Sequence, residues 1–153
     1  MVICRARGMI VYQKRILLMR HTNRDFYCLP WGKIEEDELV QEGIVRELYE
    51  ELWVYPQQTQ LVAMQNFCKL KWDYENATKQ SNIDFIYRIH NAQDYFDWQD
   101  VHKSSHAFER QELKRVDINA KNADIDIQPN FICEIAKKIV DEGLDNHTIS
   151  MYT

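Results

Sequence analysis

The sequence is 153 residues long, 45% hydrophobic and 28% charged, with a formal net charge of −5. That length suits a single domain, residues 1–153, with a core of its own. No apolar run is long enough to span a membrane, and a net-negative chain lacks the basic face that general nucleic-acid binding requires. The first residues, Met1-Val2-Ile3-Cys4-Arg5, do not have the basic-then-apolar layout of a signal peptide. A cytoplasmic protein, monomer or homodimer, is therefore expected. Cys4, Cys28, Cys68 and Cys133 are too far apart for a zinc or redox pair and read as reduced thiols.

In chain order, residues 3–12 and 15–20 read as two strands joined by a short turn at Gln13-Lys14, which lacks the usual Asn-Gly or Asp-Gly. Residues 21–27 read as a loop, and Pro30 and Gly32 punctuate the next stretch. An acidic run, Glu35-Glu36-Asp37-Glu38, leads into a helix from about Leu39 to Leu52, with Val40, Ile44, Leu48 and Leu52 as its apolar stripe. Asp37 is the expected N-cap. Strands are expected at 59–70 and 82–90, with a polar loop at 72–81 between them. Residues 91–110 read as a long loop and 112–118 as a further strand. Pro129 opens a second helix that buries Phe131, Ile132, Ile135, Ala136, Ile139 and Val140. The tail beyond Gly143 is expected to fray. This order predicts an α/β fold with a mixed β-sheet between helices.

The chemistry is concentrated between Gly32 and Val54. Glu47, Glu50 and Glu51 stand at i, i+3 and i+4 of the expected helix, so their carboxylates share one face within a turn. Three neighbouring like charges repel unless something positive binds them, and an oxygen-seeking Mg2+ or Mn2+ ion suits them. A solvated acidic helix face is the plainer alternative, with Arg46 and Glu50 as an ordinary i, i+4 pair. Arg46 can also brace a carboxylate with its two-pronged guanidinium.

The full spacing decides between these. The segment follows the pattern G-x5-E-x7-R-E-U-x-E-E-x-G-U, U being a bulky aliphatic residue, through Gly32, Glu38, Arg46, Glu47, Leu48, Glu50, Glu51 and Val54. The lead-in Leu29-Pro30-Trp31-Gly32-Lys33-Ile34-Glu35 is similar to L-P-G-G-x-x-E. The chain thus resembles the Nudix hydrolases. The resemblance implies an α/β/α sandwich and the cutting of a diphosphate linkage in a small nucleotide substrate: a nucleoside triphosphate, oxidised or not, ADP-ribose or a nucleotide sugar. It implies that Glu47, Glu50 and Glu51, with the backbone carbonyl of Trp31, hold the metal, and that Glu38 and Arg46 support them. The general base it implies is Glu50, or a later carboxylate such as Glu109 or Glu112.

Two residues depart from the pattern. Trp53 stands where the motif has its second glycine, and Trp31 where the lead-in has its first. The chain holds four glycines in all, below the usual ~7%. One explanation is a codon that the source reads as glycine and that is expressed here as tryptophan.

Further signals are weaker. His102 and His106 have metal-ligand spacing if helical. Phe67, Trp72, Tyr74, Phe85 and Tyr87 are candidates to stack a base or to fill the core. Lys33, Arg7 and Arg20 are the candidate substrate contacts, with Arg24 and Lys69 as further cations; a solvated surface position is the alternative for each. A second reading, from a different class, is a non-catalytic module that keeps the fold to bind nucleotide or RNA. The intact carboxylate set disfavours it.

Overall fold

The computed structural model describes residues 1–101, 111–119, 125–142 and 149–152. Its elements are β1 (Val2–Met9), β2 (Val11–Tyr12), β3 (Arg15–His21), β4 (Trp31–Lys33), α1 (Val40–Leu52), β5 (Thr59–Asp73), β6 (Asn76–Ile89), α2 (Ala92–Val101), β7 (Gln111–Asp117), α3 (Ile132–Glu142) and β8 (Ser150–Tyr152). They form a mixed sheet in the order β4-β1-β6-β5-β8 and an antiparallel one in the order β2-β3-β7. The α/β class and the mixed sheet are those the sequence predicts.

Alternation along β1 shows how the layers are built. Ala6 joins the apolar cluster of Ile44, Leu48 and Leu52 on α1, and a methyl on Gly8 would stand 3.1 Å from Leu48. Met9, of opposite parity and so on the other face, joins the cluster of Ile132, Ile135 and Ala136 on α3. The mixed sheet is thus covered by α1 on one face and by α3 on the other.

Several expected boundaries move. The first expected strand is split at Ile10, and β2 joins the second sheet. Gln13 and Lys14 make the expected hairpin with φ of 50° and 60°, a turn built without glycine. The expected loop at 72–81 is instead the end of a long ribbon, in which β5 and β6 pair as far as Asp73 with Asn76. Part of the expected loop at 91–110 is the helix α2, anchored by buried Ala92, Tyr95 and Phe96. Pro129 does not begin the second helix; α3 starts at Ile132. The tail returns as β8, parallel to β5. His102, His106 and Glu109 lie outside the described residues.

The N-cap of α1 is Leu39 and not Asp37. A leucine side chain cannot accept a hydrogen bond, and Glu42 compensates: its Oε2 accepts the Leu39 N–H at 2.8 Å. At the other end Trp53 has φ 57° and ψ 21°, and its N–H donates to the Tyr49 carbonyl. This is the left-handed cap that glycine favours, and a tryptophan there costs on the order of 1 kcal/mol. Trp53 is largely exposed, and its ring meets only the edge of the fold, beside Trp98 at a centroid distance of 6.4 Å.

Candidate active site

The site begins with the phase of α1. Its apolar stripe fixes which side faces the sheet, and Arg46, Glu47, Glu50 and Glu51 then fall along the border beside β4. Gly32 on β4 is what lets the helix come so close. A methyl built there would overlap Cγ, Cδ and Oε2 of Glu47, so the Glu47 carboxylate rests directly on the Gly32 backbone.

Arg46 organises the acidic groups. It grips Glu38 with two prongs, from Nε at 3.0 Å and from Nη2 at 2.6 Å. Its Nη1 donates to Glu47 at 2.7 Å and more weakly to Glu50 at 3.4 Å. Its Nη2 also donates to the Lys33 carbonyl at 3.0 Å. The Arg46 hydrogen bonds hold Glu38 below the usual carboxylate range. Glu47 moves the other way: burial pushes it up against the pull of Arg46, and Glu50 and Glu51 add to the push. Glu51 accepts a hydrogen bond from Gln111 Nε2 at 2.7 Å.

Glu47, Glu50 and Glu51 are therefore brought to one border of the helix, as expected. Among the described residues, however, no three acidic, histidine or cysteine side chains already converge on one point. Glu47 and Glu50 lean toward Arg46, and Glu51 toward Gln111. The donor set still fits a hard divalent cation. Three carboxylates, Glu38, Glu47 and Glu50, share one guanidinium, and Glu51 beside them is bonded to a neutral amide, which leaves the cluster negative with oxygen donors throughout. The backbone fits as well. Gly8 N–H donates to the Pro30 carbonyl and Ile34 N–H to the Cys4 carbonyl. The β1–β4 ladder is bonded at alternate pairs, so the carbonyls of Trp31 and Lys33 turn outward to the open edge. The Arg46 bond to Lys33 agrees with that direction.

Other candidates lie elsewhere. Glu112 is on the strand β7 and not on a loop. It accepts from Arg20 Nη2 at 2.7 Å and from the Tyr27 hydroxyl at 2.8 Å. These bonds, that of Tyr27 first, hold it below the usual range, which makes it a weak base. Arg20 is engaged in that pair. Lys33 has an exposed side chain, and it is its carbonyl that meets the acidic cluster. Tyr87 is core, while Trp72 and Tyr74 are exposed on the ribbon.

Arg7 belongs to a group on the opposite face of the sheet. Its Nε donates to Asp84 at 2.6 Å, and Arg5 Nη1 donates to the same carboxylate at 3.5 Å. Asp84 is fully buried. Sequence reasoning missed both Arg5 and Asp84. The signal was an aspartate inside an otherwise apolar strand, Ile83-Asp84-Phe85-Ile86, with arginines at alternate positions 5 and 7 of another strand.

The NUDIX domain family model matches residues 2–129 of this chain. No curated protein matches it. Among solved structures, the E. coli ORF135 protein aligns with a TM-score of 0.58 and 18% identity, over 92% of each chain. An ADP-ribose pyrophosphatase from Streptococcus suis 89-1591 aligns with a TM-score of 0.55 and 14% identity, over 99% of this chain and 98% of its own. A MutT NUDIX hydrolase from Burkholderia pseudomallei aligns with a TM-score of 0.54 and 16% identity, over 88% and 97%. At such identities the likeness is one of fold.

Proposed function

Because the chain belongs to the Nudix family, we propose that it uses a divalent metal ion and water to cut a diphosphate linkage in a nucleoside-diphosphate-linked substrate. The observation that carries this reading is the border of α1, where Glu47, seated on Gly32, shares one face with Glu50 and Glu51 and the Trp31 carbonyl turns toward the same edge.

In this reading Glu47, Glu50, Glu51 and the Trp31 carbonyl would hold Mg2+ or Mn2+. Bound there, such an ion would offset the charge of the diphosphate and lower the pKa of a water. Arg46 sets the carboxylates in place, and Glu38, gripped by two prongs, keeps Arg46 from turning away. Glu50 is the best-placed general base. Its side chain is 57% exposed and its one bond to Arg46 is long, at 3.4 Å, so a carboxylate oxygen is available to take a proton from water. Glu47 is half-buried and firmly bonded, and Glu51 is engaged by Gln111.

The test is product release from nucleoside triphosphates, ADP-ribose and nucleotide sugars, with Mg2+, with Mn2+ and with a chelator. Metal-dependent release of a nucleoside monophosphate from at least one compound is expected. Absence of turnover with every compound and metal, while the folded protein still binds nucleotide, would favour the non-catalytic module instead.

A further inference from the structure

The face of the mixed sheet turned away from α1 changes character along β1. Met9 lies in the apolar cluster with α3, whereas Arg5 and Arg7, at alternate positions before it, lie where a cavity opens. The cavity measures about 240 Å3, and among the described residues its lining carries Arg5, Arg7, Arg24 and Lys69 and no carboxylate. Among the described residues, Asp84, buried beneath, is the one acidic group that pairs with them, through Arg5 and Arg7. Four cations against one anion is a large local excess in a chain whose net charge is −5. The cations repel one another: burial, and then Arg5 and Arg7, push the Lys69 ammonium below its usual range.

Each aromatic ring around the cavity already carries a cation over it. Trp31 has Arg5 and Arg7 over it, with centroid distances of 5.3 and 5.8 Å. Phe67 has Arg5 at 6.0 Å and Lys69 at 5.5 Å, and Phe26 has Arg24 at 5.4 Å. The aromatic groups thus hold the cations in place, and the ligand best matched to the site is a compact anion of more than one charge. Guanidinium forks match a phosphoryl group in shape as well as in charge.

The cavity is also separate from the acidic border. Trp31 turns its ring to the cavity, while the next residue, Gly32, turns its backbone to Glu47. A single edge strand divides the two places, so one substrate can reach both.

We propose that this cavity binds a phosphoryl group of the substrate other than the diphosphate that is cut. The substrate class is then a nucleoside-diphosphate-linked compound carrying an additional phosphomonoester. The turnover arm of the test rests on the hydrolase reading, and the binding arm does not.

For turnover, matched pairs that differ by one phosphomonoester are compared with Mg2+ present: coenzyme A against dephospho-coenzyme A, and NADPH against NADH. For binding, adenosine 3′,5′-bisphosphate is compared with AMP by calorimetry without metal. Losing a charge-assisted contact from the cavity predicts a preference of about tenfold or more for the extra phosphate in each arm. That preference should disappear in Arg24→Gln/Lys69→Gln, whose parent side chains are both exposed and so are not needed for folding. Equal binding of bisphosphate and monophosphate, or a preference untouched by the double variant, would overturn the assignment. A bisphosphate preference without turnover of any pair would count against the hydrolase reading and leave the cavity assignment standing.

Discussion

Gly32→Ala is expected to leave the protein folded and to lower kcat/KM by about a hundredfold or more, the scale of a misplaced reacting group. The reason is local. The added methyl would meet the Cγ, Cδ and Oε2 of Glu47. Those atoms are the end of a flexible side chain, so the fold yields by turning Glu47 away and not by moving β4 from β1. Turning it away also breaks its 2.7 Å bond from Arg46 Nη1. One small change therefore removes a carboxylate from the edge and loosens the guanidinium that orders the rest. Circular dichroism and thermal melting check the fold, and turnover of the best substrate checks the loss. A fully active Gly32→Ala would mean that the Glu47 position does not matter to the reaction.

Glu50→Gln is expected to cost about 10²- to 10⁴-fold in kcat, the range for loss of a general base. Its stability should stay within about 0.5 kcal/mol of the parent, as for surface substitutions generally. Both expectations rest on the same facts: the side chain is 57% exposed and, among the described residues, is held by one long bond. The amide keeps the shape and loses the proton acceptor. Glu112→Gln serves as the comparison, since Tyr27 and Arg20 already occupy that carboxylate. Full activity of Glu50→Gln would move the general base to a later carboxylate, Glu109 or Glu112.

The acidic border was legible in the sequence because it is local. Helical period and motif spacing both place Glu47, Glu50 and Glu51 together, and both lie within one stretch of chain. The close approach of Gly32 to Glu47 was readable only through the resemblance, since a lone glycine between Trp31 and Lys33 looks like a turn. Arg7, Arg24 and Lys69 were singled out one by one, but their grouping around one cavity was not legible. Arg5 and Arg7 meet Asp84 across 79 and 77 residues of sequence, and no short-range pattern links them. Both strands of the β5–β6 ribbon were expected, and only its far end was missed, for a different reason. On β6 that end reads Asn76-Ala77-Thr78-Lys79-Gln80-Ser81, polar and without the apolar alternation by which strands are recognised. The helix α2 was within reach: Ala92, Tyr95 and Phe96 repeat at helical spacing and are all buried, but the polar residues around them read as loop. Trp53 shows the reverse case. The sequence marks it as foreign to its position, and the backbone there keeps the conformation suited to glycine at φ 57°.

If the proposed function is right, the border of α1 must gather a divalent cation, although its carboxylates lean on Arg46 and Gln111. Mn2+ binding followed by electron paramagnetic resonance tests this without knowledge of the substrate. Saturable binding by the parent protein is predicted, weakened about tenfold or more in Glu47→Gln, as expected when one charged ligand is lost from an oxygen site. Absence of saturable binding, or equal binding by parent and variant, would contradict it.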